Sequence, residues 1–261
     1  MHLRKDHAEL NIPALRQFIR SNPLGLLTTA ITSPSSSFPL LQSTHIPFIL
    51  DVDDESSQTE LGRLRGHMAR QNPQSKALVE ALGDPSSPRP GSNVLAQDVL
   101  IVFTSPVQHY ITTNFYSETM SGDKKTAPTW NYSAVQVYGR ARIHYDADAP
   151  ATADFLMKQL ADLSRMGETG IMGYSGAEAW TVADAPSSYV ERSRRYIIGL
   201  EISMHRLEGK VKMSQELKPR DREGVVRGLK ALRTETAEKM AVLVEERAAL
   251  KLRPRVDAIE S

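Results

Sequence analysis

The stretch GDKKTAPTWNYSAVQVYGRARIHYD, residues 122–146, decides the reading of this chain. From Ala134 onward, Val135, Val137, Gly139, Ala141 and Ile143 alternate with Gln136, Tyr138, Arg140, Arg142 and His144. A two-residue period of this kind is that of a half-buried β-strand, because successive side chains leave the backbone on opposite faces. Pro128, Thr129, Trp130, Asn131 and Tyr132 crowd what reads as the entrance to that strand. Each aromatic ring there would cover roughly 150–250 Å² and keep a polar handle, which suits an interface or a ligand wall.

Further strands are expected at residues 24–31 and 42–50, joined by TSPSSSFP, and in a segment that begins LGRLRGHMA. Two more are expected at 94–104 and 108–115, and a last one at 196–202. Helices are expected at residues 8–21, ended by Asn22-Pro23, and after Asn72-Pro73, where Asn is a natural cap and Pro a favoured first residue. Others are expected at about 148–166 and 187–195, with one long helix from Asp221 to about residue 251. MGETGIMGYSGAEAW, with glycines three apart, reads as a loop, since no strand-to-helix context supports a phosphate-binding turn. Residues 51–60 read as an exposed acidic loop. These elements describe a mainly β (α+β) chain, an antiparallel sheet of about six or seven strands with peripheral helices and a long C-terminal helix. The division expected is a domain at 1–220, with a helical insertion at 148–195, and a helical extension at 221–261.

The composition, 40% hydrophobic and 24% charged over 261 residues, is that of a globular chain. A formal net charge of +1 supplies no global field to draw it onto nucleic acid. Without cysteine there is no disulfide, thiolate metal site or cysteine nucleophile. The charged start MHLRKDH and the lack of a long apolar run make the cytoplasm the expected address, with the nucleus as the other, and no membrane contact is expected. No G-x-G-x-x-G after a strand, G-x-x-x-x-G-K-[ST], H-E-x-x-H or G-x-S-x-G occurs, and no helix-turn-helix can be placed.

NPLGLLTT, STHIPFIL, GHMARQNPQ, VLIVFTSPVQHYITTNFYS, APTWNYSAVQVYGRARI, WTVADAPSSYV and IIGLEISMHRLEGKVKMSQ stand in an order and spacing that resembles the PaiB family. These are flavin mononucleotide (FMN)-binding proteins labelled negative transcriptional regulators. The resemblance runs from about residue 1 to 232, and GHMARQNPQ together with PTWNYSAVQVYG is its most specific part. Longer loops at 34–38, 51–60, 85–93 and 121–126, and the extended tail, point to a fungal member. The resemblance implies a split β-barrel, a homodimer, and FMN in a groove where two protomers meet.

It also implies site residues. Gly66, His67, Met68 and Ala69 with Asn72, Gln74, Ser75 and Lys76 are candidates for the phosphate end, where a helix amino terminus favours a dianion. The competing reading has Asn72 capping its helix and Lys76 in solvent. Thr28, Thr29, Thr44, His45 and Pro47 match positions that line the flavin, although threonine is also simply a good strand residue. Trp130, Asn131 and Tyr132 would form a wall of the groove or only a dimer contact; Tyr110, Phe115 and Tyr116 are weaker candidates for the same wall. Lys210, Lys212, Ser214 and Gln215 belong to the family pattern and could meet a phosphate or a partner's acidic face, or form a solvated loop. No catalytic acid or base and no metal ligand stands out. A redox protein acting on a small molecule is the first functional expectation and a PaiB-type regulator the second, direct DNA binding being disfavoured by the charge. Haem in place of FMN, ligated by His45, His67 or His109, is the third.

Overall fold

A computed structural model describes residues 1–33, 37–84 and 92–252. The long loops expected around 34–38 and 85–93 fall partly outside the described residues. In chain order the elements are β1 (Ala8–Glu9), α1 (Ile12–Ser21), β2 (Leu24–Ala30), β3 (Leu41–Pro47), β4 (Ile49–Asp51), β5 (Arg63–Ala69), α2 (Pro73–Gly83) and β6 (Val94–Thr104). They continue with β7 (His109–Ile111), α3 (Ser117–Ser121), β8 (Thr129–His144), α4 (Pro150–Arg165), α5 (Ser187–Arg194), β9 (Ile197–Lys212), α6 (Pro219–Ala231) and α7 (Glu235–Leu252).

The strands follow the order β3-β2-β6-β8-β9-β5-β4, with β1 beside β9 and β7 beside β8. Its two ends, β3 and β4, are one run of chain interrupted only at Phe48. Pro47 has no N–H to offer, and the Phe48 amide turns instead to the carbonyl of Pro23 at 2.9 Å. The same run thus pairs with β2 on one side of the break and with β5 on the other. This is the antiparallel, mainly β split barrel expected from the sequence, with peripheral helices.

The chain forms two compact units, with boundaries inside β8 and β9. The larger comprises residues 11–103 and 135–207. Its core is the barrel interior, where Leu27, Ile46, Phe48, Leu64, Ile101, Phe103, Val135, Val137, Ile143, Ile198, Leu200 and Ile202 pack together. Val135, Val137, Ala141 and Ile143 are all buried, as the alternation predicts. The acidic loop after β4 is fastened from beneath: Arg16, 1% exposed, donates to the carbonyls of Glu55, Ser57 and Glu60 at 2.9–3.1 Å. A guanidinium fork satisfies three carbonyls that a short loop cannot pair internally.

The smaller unit comprises residues 1–10, 104–134 and 208–261. Its core joins Ile111, Tyr116, Met213, Val225, Leu229, Met240, Ala241 and Val244. Gly224 and Gly228, one turn apart on α6, let Phe115 lie against the helix; a methyl on Gly228 would stand 2.2 Å from the Phe115 ring. Asp221, 1% exposed, accepts from the amides of Glu118 and Thr119 at 2.7 and 3.0 Å, and so caps α3 from α6. Burial pushes its carboxyl up, but the bonds from Thr119 and Glu118 outweigh this and hold it below the usual range.

Several boundaries differ from expectation. The first helix starts at Ile12 rather than residue 8, because Asn11 caps it through Ala14 N at 2.9 Å and Pro13 occupies its first turn. Ala8 and Glu9 pair with β9. The strand expected over 108–115 stops at Ile111, where Thr112 caps a 3-10 turn through the amide of Asn114. The glycine-spaced segment opens as a π-helical turn over Met166–Ile171. The long tail helix is two helices: Arg233 adopts a left-handed φ of 54°, and Thr234 begins α7 by accepting from Ala237 N and Glu238 N.

The largest difference concerns the opening stretch. β8 starts at Thr129, so Trp130, Asn131 and Tyr132 are part of the strand and not its entrance. Thr129, Trp130 and Asn131 pair with β7, opposite Ile111, Tyr110 and His109.

Candidate functional site

The sequence GHMARQNPQ turns from strand to helix through two capping devices. Asn72 accepts from Gln74 N at 2.8 Å and donates its amide to Thr44 Oγ1 at 3.1 Å. Ser75 Oγ reaches back to the carbonyl of Ala69 at 2.8 Å. Gln74, 1% exposed, donates to Thr29 Oγ1 at 2.9 Å and to the carbonyls of Gln42 and Leu27 at 3.1 and 3.3 Å. Lys76 is exposed on the first turn of the helix. The start of α2 is therefore fixed to β2 and β3 by side chains, with a cation beside its positive dipole end. Gln74 Oε1 and Gln42 Nε2 are buried atoms with no hydrogen-bond partner.

The strand candidates separate by face. Thr28 opposes Ser43, and Leu26 opposes His45, while Thr29 opposes Gln42 and Leu27 opposes Thr44. Directly paired residues share a face and neighbours along a strand do not. Thr29 and Thr44 thus join Asn72 and Gln74, whereas Thr28, bonded to Ser43 Oγ at 2.9 Å, lies on the opposite face with the exposed His45. Pro47, half-buried, ends β3.

The same parity divides β5. Gly66 and Met68 turn to the barrel core, a methyl on Gly66 meeting Phe48 and Ile46 at 3.0 and 3.1 Å. Arg65 and His67 take the other face, with Glu201 and Gly199 as their partners on β9. Gly199 lies beneath Phe155, which stacks on His144 with ring centroids 3.9 Å apart. His67 Nδ1 is buried without a partner, and burial holds the imidazole below its ordinary pKa. Ala69 is exposed at the strand end.

In the smaller unit Asn131 is wholly buried and exchanges hydrogen bonds with Ser214 at 2.9 and 3.2 Å. Ser214 holds a left-handed φ of 56°. Gln215 fixes this bend by accepting from Met213 N and donating to the carbonyls of Asp6 and Val211. Lys212 donates to Thr129 Oγ1, and Lys210 stands 5.5 Å from the Tyr132 ring centroid. Trp130 faces outward at 54% exposure and meets Tyr110, 45% exposed, edge-on at 6.0 Å. Phe115 and Tyr116 belong to the core of this unit. His109 Nδ1 is engaged at 2.6 Å by the carbonyl of Tyr110.

The sequence reading passed over two arginines that organise the larger unit. Arg70 donates to the carbonyls of Tyr145 and Arg195 at 2.7 and 3.1 Å and so anchors the start of β9. Arg65, paired with Asp51 and Asp162, pins α4 to the barrel. Arg70 stands inside the motif GHMARQNPQ and Arg65 one residue before it, but only tertiary proximity shows what each holds.

Within the larger unit, two groups could serve an FMN molecule by their chemistry: hydroxyls and amides on β2, β3 and α2, and a cation at a helix amino terminus. The donor set fits a phosphate with a polar-edged ring system, and no cluster of metal-binding side chains exists among the described residues. No helix among them is long and apolar enough to cross a membrane.

The chain is 49% identical over 260 residues to an "uncharacterized protein" of Aspergillus fumigatus, covering 96% of this chain and 99% of that one. It is 24% identical over 247 residues to the "Protease synthase and sporulation protein PAI 2" of Bacillus subtilis, covering 95% and 98%. Among solved structures, the flavocytochrome Anf3 of Azotobacter vinelandii matches with a TM-score of 0.44 at 14% identity, covering 81% of this chain and 72% of that chain. A family model matches residues 1–206, and the chain belongs to that family, described as "Putative FMN-binding domain".

Proposed function

We propose that this protein is a homodimeric FMN-dependent redox protein acting on a small molecule. The observation that carries the reading is the start of α2, where Asn72, Thr44, Gln74 and Thr29 form one polar network and Lys76 stands exposed beside it. FMN supplies the electron chemistry when bound, and the chain supplies binding, orientation and access. Lys76 and the helix amino terminus are the groups suited to the phosphate. The exposed Trp130 and Tyr110 pair supports a second copy as partner, since paired aromatic anchors are the residues that dominate such contacts.

The test is spectral and chemical. Purified protein titrated with FMN is expected to quench flavin fluorescence with one equivalent per protomer, and NADH or NADPH is expected to bleach the bound flavin. Lys76→Glu weakens FMN binding about tenfold or more, since a like charge replaces a favourable one. A Soret band after haem addition with no flavin uptake would overturn the reading. The name of the Bacillus relative favours a regulatory role as the second reading. Salt-dependent, sequence-selective DNA retardation by a protein whose flavin no donor reduces would establish that role instead.

A further inference from the structure

A cavity of about 330 Å³ opens in the larger unit between α4, α5 and residues 180–185. None of the candidate FMN residues lines it, and no charged side chain among the described residues does. α4 presents two faces, because positions three and four apart share one side of a helix. Gln159 turns to the barrel and bonds Arg65, whereas Leu160, Leu163 and Ser164 line the cavity. Tyr189, Val190 and Ser193 line it from α5. Leu160, Leu163, Val182 and Val190 are half-buried and belong to neither hydrophobic core, so the apolar surface they keep is not used by the packing of either.

Two aromatic rings complete the lining. Trp180 is 48% exposed and Tyr189 54%, and neither stacks on another ring among the described residues. Arg192 stands 5.9 Å from the Tyr189 ring centroid. The wall that carries Trp180 is fixed through its main chain: its amide donates to Glu168 at 3.1 Å, and its carbonyl accepts from Ser164 Oγ at 3.4 Å. Asp184 Oδ2 accepts from the amide and the hydroxyl of Thr181 at 2.7 and 2.9 Å, which closes the 3-10 turn bearing Val182. The indole is therefore held at the cavity without entering a core. Nearby charges are engaged elsewhere, Arg165 by Asp162 and Glu191 by Arg194. The Ser193 hydroxyl has no hydrogen-bond partner among the described residues.

We propose that this cavity binds a neutral aromatic molecule, a ring or fused pair of rings carrying a hydroxyl or carbonyl group. Trp180 and Tyr189 pack on the rings, Leu160, Leu163, Val182 and Val190 form the apolar bed, and the Ser193 hydroxyl meets the polar group. Size, charge and ring content each narrow the class. An apolar cavity of about 150 Å³ holds a benzene ring, so about 330 Å³ has room for a fused pair. A charged ligand would leave water for a lining that offers no counter-charge, which its apolar contacts do not offset. Aromatic side chains gain edge-on or offset contacts with another ring that a saturated body does not supply.

The experiment titrates 2-naphthalenemethanol into the purified full-length protein by calorimetry, with and without added FMN. 2-Naphthoate serves as the charged counterpart and decahydro-2-naphthalenemethanol as the saturated one. The aromatic alcohol is expected to bind saturably, about tenfold or more tightly than either counterpart, and with the same affinity when FMN is present. Trp180→Ala/Tyr189→Ala is expected to lower that affinity about tenfold or more, and to melt as the parent does because both rings lie outside the two cores. Ala185→Trp, which fills the cavity instead of stripping it, is expected to abolish binding, so the two variants test the site independently. No saturable binding of the aromatic alcohol, equal affinity for either counterpart, displacement by FMN, or parental affinity in either folded variant would each overturn the proposal.

Discussion

The segments Gly66–Gln74 and Thr129–Ser133 carry the most distinctive sequence of the chain, yet they are built on opposite principles. In the helix start, single side chains have two duties: Asn72 caps α2 and also reaches Thr44, and Gln74 joins the helix to two strands. In the strand the duties fall to alternate residues. Asn131 and Ser133 face inward and are buried, while Trp130 faces outward and is exposed. A strand separates architecture from surface residue by residue, because its side-chain period is two. A helix cap cannot, because the group that ends the orphan N–H series is also the group nearest any ligand there.

This contrast can be broken by mutation. Asn131→Leu should cost the most, about 1–3 kcal/mol of unfolding free energy in denaturant titration, since it leaves Ser214 Oγ buried without its partner. A cost near zero would mean that the inward row of β8 is not structural. Asn72→Ala should cost about 1 kcal/mol through the lost cap and should also weaken FMN binding, two effects from one residue. Loss of stability with FMN affinity untouched would separate the two duties there as well.

A smaller effect should appear with pH. Burial lowers the pKa of His67, so the unfolded chain takes up a proton first as the pH falls below about 6.5. The stability associated with neutral His67 is complete above that pH and is lost as the pH falls toward the folded value. His144 follows the same course, its burial only partly offset by Glu201. His67→Gln should therefore lose less in melting temperature than the parent between pH 7.5 and pH 5.5; equal losses would remove His67 from the account. Trp130→Ala should change folding stability least, by under ~0.5 kcal/mol for an exposed substitution, while shifting sedimentation toward monomer. An unchanged association state would place the dimer contact elsewhere.

Much of the barrel was legible because its signals are local. The alternation of residues 134–144, the Asn72-Pro73 helix start and the apolar run in β6 required only neighbouring residues to read. The errors arose where a distant partner decides. Thr129–Tyr132 looked like the entrance to a strand because, although a strand was expected at 108–115, no local pattern shows that His109–Ile111 pairs with Thr129–Asn131. The tail looked continuous because a left-handed Arg233 leaves no composition signal, although Thr234 ahead of Ala237 is a readable cap. Among candidate site residues, the sequence could propose Thr28, Thr29, Thr44 and His45 together. Strand register then placed Thr29 and Thr44 on one face and Thr28 and His45 on the other.

The amino-acid sequence by itself determined an antiparallel, mainly β class, because hydrophobic period, caps and prolines act within a few residues, and the order of its motifs, not their periodicity, pointed to the family. Only the tertiary structure decided that Asn131, Ser214 and Gln215 hold the smaller unit together and that Trp130 stays outside it. It alone brought Arg65, Asp162, Lys158 and Arg165 from two distant elements to one charged cluster. Pairing register and burial arise from contacts across some hundred residues of chain, and no local pattern encodes which charges will meet.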